Sequence, residues 1–128
     1  MLQSLFTPSA ASPGGHYSQA IIHGDTVYIS GLLPINPENG QKILGGMDDQ
    51  LNTVLTNLEA ILKAAGSDRH GVIRTTVYIA DMALWGEVNA KYVQFFGSHK
   101  PARVVVPVPE LHYGFKIEID AIAAVLSK

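Results

Sequence analysis

The chain has 128 residues, a formal net charge of -2 and no cysteine. Hydrophobic residues make up 47% and charged residues 16%, which excludes a disordered chain and predicts one domain over residues 1–128. Lack of cysteine excludes disulfides, thiolate metal sites and cysteine nucleophiles, and it favours a reducing, cytoplasmic location. The longest apolar run, residues 121–126, is too short to span a bilayer, so we expect neither export nor membrane insertion.

The first third of the chain has the pattern of strands and loops. A strand is predicted near residues 2–6, and residues 18–23 and 26–30 flank Gly24-Asp25 as the two strands of a hairpin. The Asn-Pro and Asn-Gly pairs within residues 34–46 indicate a loop.

Two amphipathic helices and three further strands are predicted next. From Met47, apolar residues recur with a period near 3.6 and stop at Gly66, as expected where a helix ends. The second helix follows Asp81, a good N-cap, and ends at Gly97. Its predicted apolar stripe is Leu84, Trp85, Val88, Tyr92, Val93 and Phe96. Residues 72–80, 102–108 and 115–125 are rich in β-formers and predict strands.

This order of elements predicts an α/β or α+β fold, a six-stranded mixed sheet with two helices packed on one face. The opposite face would carry Val104 or Val105 together with Ile122. Because a wide apolar face is unfavourable in water, we expect oligomerisation to bury it.

Two charged residues are candidates for chemistry. Arg103 lies in an apolar β run, where it needs an anion. That anion is either a substrate carboxylate or phosphate, or a carboxylate on an adjacent strand in a structural ion pair. On the last strand Lys116, Glu118 and Asp120 alternate with apolar residues. Glu118 is therefore either part of a solvated face or an acid/base group beside Arg103 across the sheet.

Weaker candidates surround these two. Asn89 lies on the stripe of the second helix and either ties helix to strand or touches the site. Tyr17 follows two glycines in a flexible entrance segment, and Ser30-Gly31 ends a hairpin strand, where glycine lets backbone approach a ligand.

Several classes of site lack a motif. The five histidines form no HxH or HExxH pattern, and no Walker, GxSxG or GxGxxG motif is present, so we predict no metal, no cofactor and non-covalent chemistry. With nine basic against eleven acidic residues, we expect no nucleic-acid partner.

A set of short motifs runs the length of the chain. They are PGGHYSQA at 13–20, VYISG at 27–31, Gln50 with Asn57, Ala65-Gly66, TTVYIADM at 75–82, Asn89 with Tyr92 and Phe95-Phe96, PAR at 101–103 and KIEIDA at 116–121. Together they resemble the RidA family, also called the YjgF family, of reactive imine and enamine deaminases.

The resemblance implies a chorismate-mutase-like fold assembled as a homotrimer, with sites in the clefts between subunits. It also implies a 2-iminobutanoate/2-iminopropanoate deaminase, a hydrolase acting on C=N bonds in metabolite damage control. Such enzymes convert 2-imino or enamine acids released by pyridoxal-phosphate enzymes to 2-keto acids and ammonia. Arg103 would bind the substrate carboxylate and Glu118 would handle the attacking water. Backbone near Ser30-Gly31 would steady the leaving nitrogen, and Tyr17 would close the cleft.

Three departures from the family pattern involve four positions. Leu32 replaces a glutamine, Val104-Val105 replaces a polar residue and a cysteine, and His112 replaces a proline. With Tyr113 and Phe115, His112 would make the rim of the pocket more apolar and aromatic, which predicts a preference for bulkier imino acids.

Other functions remain open from the sequence. One is a pathway-specific aminoacrylate or aminomuconate deaminase, and another is a non-catalytic trimer that binds small carboxylates. An endoribonuclease is disfavoured because the chain is acidic and has only three arginines.

Overall fold

The computed structural model describes residues 1–127, which form six strands and two α-helices. The strands are β1 (Leu2–Leu5), β2 (Ala20–His23), β3 (Thr26–Leu32), β4 (Val72–Ile79), β5 (Ala102–Pro107) and β6 (Ile117–Ala124), and the helices are α1 (Met47–Ala64) and α2 (Trp85–Phe96). Single 3₁₀ turns lie at Arg69–Gly71, Met82–Leu84 and His112–Gly114. Neither α-helix has the length and hydrophobicity that a bilayer crossing requires.

All six strands of the described chain belong to one sheet, in the order β1-β2-β3-β6-β4-β5. The pair β4–β5, which α2 connects, is parallel, and the other neighbouring pairs are antiparallel. Helix α1 packs on β3 and β6 and against α2. In α2, the Tyr92 hydroxyl is 2.8 Å from the Thr75 hydroxyl on β4. The predicted mixed sheet with both helices on one face is therefore confirmed.

Helix α1 begins and ends close to the predicted residues. Asp48 and Asp49 lie in its first turn, where negative charge interacts favourably with the helix dipole. At the other end Gly66 has a φ of 78°. This conformation lets the Gly66 and Ser67 amides donate to carbonyl oxygens of the last turn, at 3.1 and 2.8 Å. Glycine adopts it at little cost, so the helix stops here.

Helix α2 starts later than predicted. The Asp81 carboxylate accepts a hydrogen bond from the Ala83 amide at 2.9 Å, but the turn that it caps is 3₁₀, and the α-helix begins only at Trp85. The predicted stripe is also too wide, because Val93 is 55% exposed whereas Tyr92 is buried. Adjacent residues of a helix point about 100° apart, so these two cannot share one buried line.

The two faces of the sheet differ in what covers them. The face under the helices is buried, with Val77 and Ile119 fully enclosed. On the uncovered face Tyr28 lies beside Ile122 and is 47% exposed. Val104 is also on this face, whereas Val105 packs against the core. The uncovered face therefore carries Val104, one of the two valines considered for it.

Candidate active site

Glu118 lies near the start of β6, on the uncovered face of the sheet, and is half-buried. The register of β3 against β6 shifts between Ile29 and Leu32, which places Gly31 against the Glu118 side chain. A Cβ atom at position 31 would lie 3.1 Å from the Glu118 Cδ and would overlap Oε2. Glycine therefore leaves the space that the Glu118 carboxylate occupies.

The two carboxylates on this face of β6 differ in their partners. Asp120 accepts hydrogen bonds from the Thr76 amide at 3.2 Å and the Tyr78 hydroxyl at 3.4 Å. Within residues 1–127, no hydrogen bond or ion pair occupies the Glu118 carboxylate. Burial raises the pKa of Glu118 above its ordinary value, the charge of His112 opposes this rise, and Asp120 adds to it. Among these residues the Glu118 carboxylate thus has no hydrogen-bond partner, and its pKa is raised, as expected of an acid/base group.

Tyr17, Ser30 and Gly31 come together, and Gly31 is the one that adjoins Glu118. The Ser30 hydroxyl donates to the Ser18 carbonyl oxygen at 2.6 Å and so holds the entrance segment against β3. Tyr17 is half-exposed, and its hydroxyl accepts from the Gly14 amide at 3.2 Å. Tyr17, Ser30 and Gly31 line a small cavity of about 30 Å³. With Glu118 they form what we call the Glu118 half-site.

Arg103 lies on β5, at one edge of the sheet, against one side of α2. Its guanidinium is 4.8 Å from the Trp85 ring centroid and 5.1 Å from that of Tyr92. Its Nη1 donates to the Asn89 Oδ1 at 3.4 Å. Trp85, Asn89 and Tyr92 follow one another at helical spacing, so they present one side of α2 to Arg103. We call these three residues the Arg103 cradle, and Arg103 with its cradle the Arg103 half-site.

No carboxylate in the described part of the chain pairs with Arg103, so the structural ion-pair interpretation is wrong. The guanidinium is exposed, and aromatic rings rather than acidic groups hold it. Arg69 differs, because it bonds Glu59 at 2.5 Å and the Phe95 carbonyl oxygen at 2.8 Å. Arg103 therefore has N–H donors free for an external anion, and a carboxylate bound by two parallel hydrogen bonds fits their geometry.

Arg103 and Glu118 do not meet within one chain. Arg103 is in register with Thr75, which faces the helices, and Glu118 is in register with Tyr78 on the uncovered face. Strand β4 also separates β5 from β6, which puts their axes roughly 10 Å apart. The prediction that Glu118 lies beside Arg103 across the sheet is therefore wrong for a single chain. The alternating pattern was correct, but the relative register of distant strands could not be derived from it.

The histidines do not form a metal site. Across the residues that the structure describes, no group of three or more His, Asp or Glu side chains could hold a metal ion. The rings of His70 and His99 are neighbours, with centroids 6.4 Å apart. The His99 Nε2, however, already contacts the Val72 carbonyl oxygen at 2.7 Å.

Comparison with known proteins agrees with the motifs. The family model described as endoribonuclease L-PSP matches residues 7–125, a range that contains both half-sites. The chain belongs to this family. RidA and YjgF are other names for members of the L-PSP family, so the resemblance found in the motifs is confirmed.

Relatives in the L-PSP family match nearly the whole chain. A RutC family protein of Pyrococcus horikoshii is 45% identical over 123 residues, which cover 96% of this chain and 98% of that protein. The 2-iminobutanoate/2-iminopropanoate deaminase of Homo sapiens is 43% identical over 117 residues, 90% of this chain and 85% of the enzyme. The crystal structure of E. coli TdcF with bound serine has a TM-score of 0.90 and 34% identity, and the match covers 95% of this chain and 98% of that one.

The structure changes how three aromatic residues are interpreted. Trp85 and Tyr92 were predicted to face the core, and both pack there. Their contact with Arg103 was not predicted, although their spacing with Asn89 along α2 was an available signal. Phe115 was expected at a pocket rim, but it is 1% exposed and lies inside the protein. Its burial leaves His112 and Tyr113 as the exposed residues of that turn.

Proposed function

We propose that this chain hydrolyses reactive 2-imino acids and their enamine tautomers to 2-keto acids and ammonia. The observation that carries the proposal is that Arg103 and Glu118 are both held in place, yet neither forms an ion pair within residues 1–127. A 2-imino acid offers what each lacks, a carboxylate for Arg103 and an electrophilic carbon for a water beside Glu118. The name of the human relative and the serine bound to TdcF support this choice of substrate class.

Arg103 would bind the substrate carboxylate through two parallel hydrogen bonds. Its cradle fixes the plane of the guanidinium before substrate arrives, so little orientational freedom is lost on binding. This fixed plane would orient the C2=N bond, and correct positioning alone contributes a large part of catalysis when the substrate is intrinsically reactive.

Glu118 would act as the general base and then the general acid. Its carboxylate takes a proton from water as the water oxygen bonds to C2 and the C=N electron pair moves to nitrogen. Glu118 returns the proton to nitrogen, which gives a carbinolamine. Glu118 then takes the remaining hydroxyl proton and passes it to the same nitrogen as the C2–N bond breaks and the C2=O bond forms. The oxygen of water ends in the keto group, and the nitrogen leaves as ammonia. An imine carbon is already electrophilic, so these steps require neither a metal nor a cofactor.

The site would lie between protomers of a homotrimer. One chain cannot bring its own Arg103 and Glu118 together, because they belong to opposite faces of the sheet. The Arg103 half-site of one protomer and the Glu118 half-site of its neighbour would together form a complete site. Such an assembly would also cover the apolar residues Tyr28, Val104 and Ile122 of the uncovered face.

Two alternative functions would use the same half-sites but differ in the substrate or in whether a reaction occurs. A pathway-specific aminoacrylate or aminomuconate deaminase would use Arg103 and Glu118 on another substrate, whereas a carboxylate-binding trimer would use Arg103 alone. RNA cleavage is disfavoured by the net charge of -2, despite the family name. The cytoplasmic location expected from the sequence stays a prediction.

The test couples a threonine or serine dehydratase to the purified protein and follows imine decay and keto-acid formation. Glu118→Gln keeps the shape of the side chain but removes the base, and we expect kcat to fall about 10²–10⁴-fold. Arg103→Ala should lower kcat/KM about 100-fold, and Arg103→Lys should recover only part of this loss because an ammonium cannot form the paired hydrogen bonds.

Glu87→Gln is the matched control, because Glu87 is an exposed carboxylate in the first turn of α2. It should retain wild-type rates. If the assembled wild-type protein accelerates no imine, while keto acids bind in an Arg103-dependent manner, the deaminase proposal is overturned in favour of the binding trimer.

A further inference from the structure

A cavity of about 340 Å³ opens beside the Arg103 guanidinium, between α2 and the start of β5. This volume is within the range of pockets that bind small molecules. Tyr92, Val93, Phe96 and Pro101 contribute its apolar wall. The cavity therefore joins a guanidinium with free donors to a largely apolar space.

The wall of the cavity combines a rigid part with an uncovered part. Tyr92 and Phe96 are buried, and their ring centroids are 4.7 Å apart, so they form the rigid part of the cavity wall. Val93 is 55% exposed beside them. An apolar ligand that covers Val93 gains free energy by removing its surface from water.

The small substrates named for the human relative would leave this space mostly empty. The side chains of 2-iminopropanoate and 2-iminobutanoate have one and two carbons, and these would contact little of the apolar wall. The carboxylate and the side chain of a 2-imino acid are both attached to C2. A substrate whose carboxylate is bound at Arg103 can therefore extend its side chain into the adjoining cavity.

We infer that the cavity beside Arg103 is a side-chain subsite that selects 2-imino acids with branched aliphatic or aromatic side chains. The inference rests on the proposed function, since it assumes that Arg103 binds the substrate carboxylate. From the sequence, a size preference was predicted on the basis of the residues of the last turn, including Phe115. Because Phe115 is buried, we base the size preference on the cavity beside Arg103 instead.

An acidic side chain is the competing ligand, since His99 and Lys100 also line the cavity. The His99 Nε2 is already engaged by the Val72 carbonyl oxygen at 2.7 Å. Lys100 is exposed, and a hydrated surface ammonium adds little affinity for a carboxylate. The apolar wall is therefore the main recognition surface.

The experiment compares imines derived from alanine, leucine, phenylalanine and glutamate, each generated by an amino-acid oxidase in the presence of the assembled protein. Wild type should show kcat/KM about 10–100-fold higher for the leucine and phenylalanine imines than for the alanine imine, as expected for filling an apolar pocket. Val93→Trp fills the cavity from an exposed position. It should remove most of this advantage, measured as the ratio of kcat/KM for the bulky imines to kcat/KM for the alanine imine.

Leu2→Trp is the matched control, because it adds the same ring to an exposed residue on β1, at the opposite edge of the sheet. It should leave all four rates unchanged. Equal or better turnover of the alanine or glutamate imine by wild type would contradict the inference, as would an equal effect of Val93→Trp on small and bulky imines.

Failure of the proposed function gives a different result, in which no imine is turned over. Calorimetric binding of the corresponding keto acids then tests the subsite on its own. Tighter binding of 4-methyl-2-oxopentanoate and phenylpyruvate than of pyruvate, abolished by Val93→Trp, would support the subsite without catalysis. Equal binding of all three keto acids would overturn it.

Discussion

Glu118 is surrounded by groups that act on its charge in opposite directions. Burial and Asp120 raise its pKa, and His112 lowers it. Tyr78 is opposite Glu118 in register, and Lys116 lies two residues before it, just ahead of β6. The turn that carries His112 is fixed by Tyr113, whose φ of 56° is unusual for a side chain of this size and whose ring lies 4.5 Å from the Lys42 ammonium. His112 therefore acts on Glu118 from a defined position.

We predict a pH dependence that follows from this environment. A base must be ionised, so activity should fall as pH decreases through the raised pKa of Glu118, at a higher pH than for an ordinary glutamate. His112→Gln removes the group that lowers this pKa and should move the acid limb of the kcat profile to still higher pH. On the acid limb the variant should be slower than wild type, and on the alkaline side of that limb the two should be equal.

His112→Lys and His70→Gln complete this comparison. Lysine restores a positive charge and should return the acid limb towards that of wild type. His70 is exposed and pairs with Asp68, so its replacement should leave the profile in place. An acid limb that is identical in wild type and His112→Gln would argue against electrostatic control of Glu118 by His112.

Helix α2 fixes the plane of Arg103 as well as contributing to the core. Tyr92 shows both roles, because its ring faces the guanidinium while its hydroxyl bonds Thr75 in the buried interior. Trp85 lies at the start of the helix, half-buried, and packs against the core on one side. The same helix face therefore stabilises the fold and orients a candidate binding group.

Trp85 offers a test of the cradle. Trp85→Leu preserves an apolar contact with the core but removes the ring beside Arg103. Since a cation–π contact at a partly exposed site contributes about 0.5–1 kcal/mol, KM should rise about two- to fivefold with kcat little changed. Trp85→Phe retains a ring and should restore most of the loss. If leucine and phenylalanine variants have the same KM and the same thermal stability, the ring has no positioning role.

Local elements could be predicted from the sequence far better than their mutual arrangement. The period of α1 and Gly66 defined that helix, and alternation placed Glu118 and Asp120 on one face. Neither pattern contains the parallel pairing of β4 with β5, which depends on the packing of α2 and places Arg103 on the other face. Motif resemblance named most residues of the two proposed half-sites, although not Trp85, but their separation within a chain appears only once strand order and register are known.

On the scale of the whole molecule, the uncovered face of the sheet and the separated half-sites have one explanation. Tyr28 and Val104 leave apolar surface exposed on the face that carries Glu118. Arg103, at the sheet edge, faces the other way. An assembly in which each protomer covers the face of the next satisfies both features, and this is the homotrimer proposed above.

Mixing two inactive variants tests the shared site. Protomers with Arg103→Ala and protomers with Glu118→Gln are each inactive alone, but every mixed trimer contains one contact at which both residues are native. Equal amounts, unfolded and refolded together, should recover about one quarter of wild-type activity by random assembly. Refolding each variant separately before mixing is the control and should recover none. Absence of recovery in verified mixed trimers would show that Arg103 and Glu118 do not act at a shared contact.

In the proposed homotrimer, the position of Arg103 and Glu118 on opposite faces would also determine how a defective copy affects its neighbours. In a cell that makes native and Arg103-deficient chains together, each deficient chain would inactivate the one site to which it contributes Arg103. Its Glu118 would still complete the site on its other side. Activity then declines in proportion to the deficient share, and the defect behaves as recessive. A chain that lacks both residues disables a contact on either side, so activity declines with the square of the native share. Two lesions in one gene copy and one lesion in each of two copies would therefore leave the same share of contacts active, about one quarter when both copies are equally expressed.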